Sequence, residues 1–450
     1  MSDKELREYL DSFINYEKVS SEKFPREFHL IRLQKLLSLI GNPEKSLKAI
    51  HIAGSKGKGS TATILTNVLK CAGYKIGLYT SPHIYDLTER ISIFDKESSS
   101  SIFDAAIPIK SLAECVDEIK ESIEEVRHDK SVGRLSFFEV FTAIAFYYFA
   151  KEKVDFAVIE TGLGGRLDAT NVIDSMIAVI TAIGYEHTHI LGDDIKDIAR
   201  EKAAIIKKES QGVVVARQLD GAKEVVLEQC EKMKCDPVLV EDTFHFMITN
   251  ESIEAQTFVV KTEDNCLSLC TKLLGEHQVK NVCTVLGVVK LLREYGYTIT
   301  DEDLTDAVRN TQWPIRFEVL SVSPTVILDA AHTNESMQCL VETLRDILPD
   351  KRFRFILGFS DDKDIGMICQ NLKNIDCDVI FTKANHPRAH VFVDEEVRFT
   401  ENFAITNSVD EAAKLAFEQL NSEVIVVTGS VFVASEARKI LIKENKHVPV

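Results

Sequence analysis

The chain has 450 residues, 45% hydrophobic and 27% charged, which is the balance of a globular protein with room for two or three hydrophobic cores. Its formal net charge of −17 argues against a nucleic-acid partner, because such a partner needs a basic face to neutralise phosphates. The sequence contains no membrane-length apolar run, its first residues Met1-Ser2-Asp3-Lys4-Glu5 lack a signal peptide's apolar core, and its ten scattered cysteines include no C-x-x-C pair, so a cytoplasmic protein with reduced thiols is expected.

In chain order, residues 47–53 read as a buried strand, followed by a glycine-rich loop, a helix-forming run at 61–69 and a strand at 75–80. The charge-rich run 114–130 reads as a solvated helix face. A helix at 137–150 precedes a strand at 154–160; a strand at 176–183 precedes a helix at 195–207; residues 212–216 form another short strand. The alternation predicts an α/β fold, a P-loop-type, mostly parallel sheet with helices on both faces. Residues 251–270 alternate like antiparallel strands, and 278–294 return to helix. A boundary is expected between Tyr295 and Pro314, giving domains 1–300 and 301–450. The second is a smaller Rossmann-like α/β domain, with strands at 325–329, 352–358, 379–382 and 424–429 and helices at 335–347, 365–372, 411–420 and 433–443. A second charged run, 443–447, reads as a tail.

Three loops that follow strands carry the chemistry. In Ala53-Gly54-Ser55-Lys56-Gly57-Lys58-Gly59-Ser60, glycines allow close backbone approach, amides at a helix start attract anions, Lys58 adds charge, and Ser60 sits where phosphate or magnesium would be. The usual P-loop places Ser or Thr directly after Gly-Lys; here Gly59 intervenes. In Glu160-Thr161-Gly162-Leu163-Gly164-Gly165-Arg166-Leu167-Asp168-Ala169-Thr170-Asn171, an acid ends a buried strand, a good position for binding magnesium. In Gly184-Tyr185-Glu186-His187-Thr188-His189, two histidines offer metal or phosphate contacts, although a histidine in a loop is more often a plain polar residue.

Taken in order, these segments resemble the folylpolyglutamate synthases, in particular the bacterial type that is also a dihydrofolate synthase, within the Mur ligase superfamily. The resemblance spans most of the chain. It includes Thr80-Ser81-Pro82-His83, Glu89-Arg90-Ile91, Phe137-Phe138-Glu139, Arg200-Glu201-Lys202-Ala203, Gly275-Glu276-His277-Gln278 with Asn281, Trp313-Pro314 with Arg316, Asp329-Ala330-Ala331-His332 and Thr428-Gly429-Ser430.

The resemblance implies that Gly57, Lys58, Gly59 and Ser60 cradle the phosphates of ATP, and that Ser81, Glu160 and His187 position magnesium. Lys202 matches a lysine that the superfamily carbamylates, which would place negative charge near a second magnesium ion. Asn281, Arg316 and Asp329 correspond to nucleotide contacts, and His332 lies where the family approaches the γ-phosphate. Lys58, His187, Lys202 and His332 are thus the implied catalytic set. Ser136, Phe137, Phe138 and Glu139, with Leu167, Asp168 and Ala169, match segments that line the pterin site. The implied reaction adds L-glutamate to tetrahydrofolate, its polyglutamates and dihydropteroate through an acyl phosphate, in an enzyme expected to act as a monomer.

The chain also departs from the family pattern. Ser55-Lys56 replaces Thr-Asn, Glu186 replaces Asp, Ile315 replaces Gly, and Asp329-Ala330-Ala331-His332-Thr333-Asn334 replaces Asp-Gly-Ala-His-Asn-Pro. Three other readings stay open: a Mur ligase with a different acid acceptor, a P-loop kinase or NTPase, and a weakened relative that binds folate or ATP.

Overall fold

Strands form where the sequence is continuously apolar, because a parallel strand buries both of its faces. In a computed structural model, which describes residues 1–17, 29–99, 101–262, 265–393, 403–418 and 424–444, seven strands make one sheet. They are β1 (Ala49–Ala53), β2 (Ile76–Tyr79), β3 (Ile91–Phe94), β4 (Phe156–Glu160), β5 (Ile177–Ile180), β6 (Gly212–Val215) and β7 (Pro237–Leu239). Their order is β3-β2-β4-β1-β5-β6-β7, and all neighbours are parallel except β2 and β3.

The topology decides where a ligand can sit. From β1 the chain crosses to β2 on one side of the sheet, and β5 pairs on the other, so the order reverses at β1. Ile52 pairs with Glu160 and Ala53 with Ile180, so β4, β1 and β5 end level, and their following loops open at one edge. Such a switch point, at the carboxyl ends of parallel strands, is where open α/β sheets bind ligands.

Helices Asp3–Asp11, Ile31–Leu39, Ile109–His128 and Phe137–Lys151 share one core with β1 and β2, while Ile195–Ala203 and Asp220–Met233 pack with β5 and β6 in another. In the Ile109–His128 helix the charged residues from 114 onward form a solvated face, and opposite them runs a stripe of Leu112, Cys115, Val116, Ile119, Ile123 and Val126, all buried. One ion pair is sealed inside the first core, where Arg32 Nε donates to Glu139 Oε1 at 2.5 Å with both side chains less than a tenth exposed.

The chain divides into two compact units, one of Met1–Met247, Val259–Leu269 and Gln278–Thr311, the other of Ile248–Phe258, Cys270–His277 and Gln312–Val450. A helix, Asp301–Asn310, capped by Thr300 and Asp303, belongs to the first unit. Strands β8 (His245–Glu251), β9 (Gln256–Lys261) and β10 (Cys266–Thr271) form a sheet in the order β10-β9-β8. The tight turn in which Ser252 N donates to Ala255 O is too short for a parallel crossover, so β8 and β9 run antiparallel.

The second unit holds β11 (Glu318–Val322), β12 (Thr325–Leu328), β13 (Phe353–Leu357), β14 (Cys377–Phe381), β15 (Phe403–Ile405) and β16 (Val424–Thr428). The order is β11-β12-β16-β13-β14-β15, parallel except for β11 with β12. Helices Asn334–Ile347, Ile365–Cys369, Val409–Glu418 and Val431–Glu444 interleave with the strands. Of the expected helix at 411–420 the last two residues, and of the charged run at 443–447 all but the first two, lie outside the described residues.

The buried ion pair yields a stability prediction, because removing one partner leaves the other charge in a dry core. Arg32→Ala should lower unfolding free energy by about 3–5 kcal/mol in urea denaturation, and adding Glu139→Gln to it should recover part of the loss. A loss below about 1 kcal/mol would mean that Glu139 is satisfied without Arg32.

Candidate functional site

The loop after β1 turns sharply into the Lys58–Cys71 helix at Gly57, which has φ 83° and no side-chain cap. A Cβ there would lie 2.3 Å from Asn281 Oδ1, so a side chain would be both strained and blocked. The amides of Ser55 and Lys56 donate to Ala182 O beyond the end of β5, at 2.9 and 3.0 Å, and Ser55 Oγ donates to Gly184 O at 2.8 Å. The loop is therefore fastened to the segment that carries Glu186 and His187. At the helix start, which contains Gly59 and Ser60, no acidic side chain occupies the first turn, so the amides and dipole there favour an anion.

Positive charge is concentrated behind this loop. Lys58 Nζ folds back to donate to Gly54 O at 2.8 Å, and Lys202 Nζ donates to the same oxygen at 2.8 Å and to Glu186 Oε1 at 2.7 Å. Lys202 is only 1% exposed, in the last turn of the Ile195–Ala203 helix. Burial, together with Lys58 and Lys56, brings its ammonium down to about 8 despite the opposing Glu186. Burial would push Glu186 up, but Lys58, Lys202 and Lys56 outweigh it and hold the carboxyl at about 2. Glu186 is the residue that sequence reasoning left out of the site; the signal available was an acid next to His187, facing a loop with two lysines.

Glu160, at the end of β4, is buried, and its Oε2 accepts from the Ser81 amide at 3.3 Å, bringing those two predicted residues together. His187 takes a left-handed conformation, φ 48°, at the start of the short helix Thr188–Leu191. That backbone is uncommon for a residue with a side chain and is found most often where function requires it.

The loop after β4 is pressed onto the helix that carries Lys202. Arg166 N donates to Glu201 O at 2.7 Å, and a Cβ on Gly165 would lie 2.5 Å from that oxygen and 3.0 Å from Lys202 Cα. The Phe138 ring lies over Gly162, joining the Phe137–Lys151 helix start to this loop. Phe137 is core, stacked on Phe141 and lying under the Arg90 guanidinium. Ser136 and Glu139 cap the helix reciprocally, and Glu139 also takes Arg32, so both have structural duties. Leu167 is half-buried, whereas Asp168 and Ala169 are buried. Asp168 accepts from Leu163 N at 2.7 Å, Thr170 N at 3.0 Å and Thr170 Oγ1 at 2.5 Å. Burial raises its carboxyl against those donors.

Two further features were not foreseen. Arg90, wholly buried, donates to both carboxylate oxygens of Glu17 and, through Nε, to His83 Nδ1 at 3.0 Å. His51, in the middle of β1 and wholly buried, has Nε2 at 2.8 Å from Thr170 Oγ1. Burial, with Lys207 adding, pushes it down to about 3.

The second unit places Arg316, Asp329 and His332 near the carboxyl end of β12. Asp329 accepts from Phe317 N and Ala331 N, both at 2.8 Å, and burial raises its carboxyl with Arg316 opposing. His332 donates from Nδ1 to Ala330 O at 2.8 Å. Ile315 and Phe317, which flank Arg316, have φ 54° and φ 46°, so the position where the resemblance has glycine keeps a left-handed backbone under a β-branched residue. The Ile315 amide is held by Glu318, itself paired with Arg438.

Two family models match the chain: the Mur ligase middle domain over residues 138–289 and the Mur ligase glutamate ligase domain over residues 315–431. The chain is 34% identical to a dihydrofolate synthase/folylpolyglutamate synthase of Bacillus subtilis, over 93% of this chain and 96% of the relative. Among solved structures it is similar to a Mycobacterium tuberculosis folylpolyglutamate synthase complexed with ADP, with TM-score 0.85, 28% identity and 98% of each chain covered. It is also similar to an FPGS–AMPPCP–folate complex, with TM-score 0.83, 26% identity, and 98% and 100% covered.

The state of His51 makes a pH prediction. Its folded value lies below the ordinary 6.5, so its contribution is complete above that pH and is lost as pH falls toward 3, because only the unfolded chain takes up the proton. From about pH 6 to pH 5, the wild type should lose roughly 1 kcal/mol more stability than His51→Gln, measured as urea midpoints at each pH. Equal losses would show that His51 is protonated in the folded protein.

Proposed function

Since the chain belongs to the dihydrofolate synthase/folylpolyglutamate synthase family of Mur ligases and is an ATP-dependent amide ligase, we propose that it joins L-glutamate to tetrahydrofolate and its polyglutamates, and to dihydropteroate. The observation that carries this reading is the cluster of Lys58, Lys202 and Glu186 around the Gly54 carbonyl, beside the loop of Asp168.

Joining an acid to an amine in water is uphill, so the acid must be activated. The acceptor's carboxylate attacks the γ-phosphorus of ATP and ADP departs; the glutamate amine then attacks the acyl carbonyl, and phosphate departs with the amide formed. The chain needs no nucleophile for this. Its work is to align anions and screen their repulsion. In this reading Gly57, Gly59 and Ser60 hold phosphate oxygens with the helix-start amides, and Lys58 swings from Gly54 O onto the phosphates. Asn281, Arg316, Asp329 and His332 are the further nucleotide contacts in this reading. The larger unit, which ends at Thr311, is the nucleotide and acceptor domain in this reading, and the smaller unit is the second domain. Ser136, Phe137, Phe138, Glu139, Leu167, Asp168 and Ala169 border the acceptor, with Phe138 and Asp168 the two best placed to meet a flat, polar heterocycle.

The donor set fits magnesium. Glu160 and the Ser81 hydroxyl supply oxygen, and among the described residues no three His, Cys, Asp or Glu side chains gather as a closed cage. Magnesium commonly takes one or two carboxylates and leaves its other positions to phosphate and water. Ser81, Glu160 and His187 would hold one ion, and Lys202 would border a second. When bound, magnesium supplies charge neutralisation on the phosphates. A carbamate on Lys202 belongs to the same proposal. The amine, held at about 8, has a neutral fraction able to take up carbon dioxide. A cytoplasmic, monomeric enzyme is also part of this reading; among the described residues no helix is long and apolar enough to cross a membrane.

The direct test follows ADP release with ATP and magnesium, offering dihydropteroate or tetrahydrofolate with and without L-glutamate, and identifies products by mass. Turnover should require glutamate and give a product heavier by one glutamyl unit; ADP release indifferent to glutamate would contradict the proposal. Lys202→Ala should cut kcat/KM by about 100-fold or more, with partial recovery on adding a small carboxylate such as acetate. An unmodified native mass together with no rescue would remove the carbamate from the account.

A further inference from the structure

His51, Thr170 and Asp168 form a hydrogen-bonded chain, buried throughout, that ties the middle of β1 to the loop after β4. The positions of the hydrogens follow from the chemistry of the groups. Thr170 Oγ1 has one hydrogen and stands 2.5 Å from Asp168 Oδ1, an oxygen that also accepts the Thr170 amide at 3.0 Å, while Leu163 N donates to Oδ2 at 2.7 Å. A carboxyl surrounded by donors on both oxygens acts as an acceptor. The Thr170 hydrogen therefore goes to Asp168, and toward His51 the hydroxyl can only accept. His51 must carry its hydrogen on Nε2 and leave Nδ1 bare. The surroundings agree: Nδ1 is buried with no hydrogen-bond partner among the described residues. A bare ring nitrogen is tolerated there more readily than a buried N–H with nothing to receive it.

We propose that His51 is a positioning residue for the acceptor site: acting through Thr170, it fixes the rotation of the Asp168 carboxylate so that the remaining lone pair, on Oδ2, is presented to an N–H donor of the acceptor's heterocycle. The inference rests on the reading above that Asp168 borders the acceptor. It adds a residue two bonds removed, on the strand that also carries the nucleotide loop. His51 lies two residues before Ala53, so a single element sets the position of both halves of the site. The chain is specific in its demands. Thr170→Val keeps the volume and removes the hydroxyl, Thr170→Ser keeps the hydroxyl, and Lys207, which binds Asn171 O and Ile173 O, holds the turn itself in either case.

The experiment measures steady-state KM for acceptor and for ATP in the full-length enzyme with Thr170→Val, Thr170→Ser, His51→Phe and Asp168→Asn. Thr170→Val should raise acceptor KM about 10-fold and leave ATP KM within about twofold; Thr170→Ser should return it to near wild type, and His51→Phe should raise it about threefold. A purely structural role would lower stability without this split. If Asp168→Asn raises acceptor KM but Thr170→Val does not, the relay is wrong while Asp168 keeps its place. If Asp168→Asn leaves acceptor KM unchanged, the placement of Asp168 fails and the proposal falls with it. Should Thr170→Val not fold, or no acceptor turn over, nitrogen NMR of the histidine rings in the wild-type protein decides the relay without substrate. Hydrogen on Nε2 of His51 supports it, and hydrogen on Nδ1 overturns it.

Discussion

Two ammonium groups, those of Lys58 and Lys202, donate to one backbone oxygen, that of Gly54, each at 2.8 Å. Cations so close repel, the more strongly where water is scarce, so a structure that holds them there must supply anions. Glu186 supplies one, and it is kept ionised by the charges it offsets. Lys56, where the family pattern has an uncharged residue, adds another cation to the same group and sharpens the imbalance. In the proposed reading the remaining compensation arrives with the phosphates of ATP, so the site is completed by its substrate. This resolves the contrast between a chain of net charge −17 and a point where two ammonium groups meet on one oxygen.

Much of the surrounding architecture serves that point. The loop can turn back over its own carbonyl only because Gly57 takes a left-handed backbone against Asn281. Lys202 reaches Gly54 because the Ile195–Ala203 helix ends against Gly165, where the loop after β4 has no side chain to hold it away. The three strands that end level, β4, β1 and β5, deliver Glu160, the glycine-rich loop and the Glu186–His187 pair to one edge. Neutral His51 extends the same logic into the sheet: a buried ring that stays uncharged can orient a carboxylate without adding to the local charge.

How much of this the sequence made legible depends on where each residue gets its partners. The interior parallel strands were readable because each is mostly apolar, interrupted by at most one polar side chain such as His51 in β1 or Arg354 in β13. The strands that went unread are all edges: β3, β7, β11 and β15 bound the two large sheets, and β8, which precedes the segment read as 251–270, bounds the three-stranded one; all but β3 are half-exposed or more, so no apolar run marks them. In the Ile109–His128 helix the solvated face was legible and the buried stripe was not, because the charges outnumber the apolar residues that anchor it. In the site, the loops announced themselves through glycines, lysines and acids close in sequence. His51 did not, because its partner Thr170 is 119 residues away and a lone histidine in an apolar strand carries no local signal. Nor did Arg32, whose meaning lies wholly in Glu139, 107 residues on. By sequence the spacer Ile315 is only a departure from the family's glycine; the structure gives it a left-handed backbone and ties its amide to Glu318.

The central claim is that the acceptor's own carboxylate takes the phosphoryl group before the amide forms. Acceptor labelled with oxygen-18 in that carboxylate, turned over with ATP and L-glutamate, tests it without reference to any single residue. The account predicts that each inorganic phosphate released carries one labelled oxygen, with the other retained in the amide product. Unlabelled phosphate accompanying amide formation would mean that ATP is hydrolysed apart from the acid, and would contradict the account at its root.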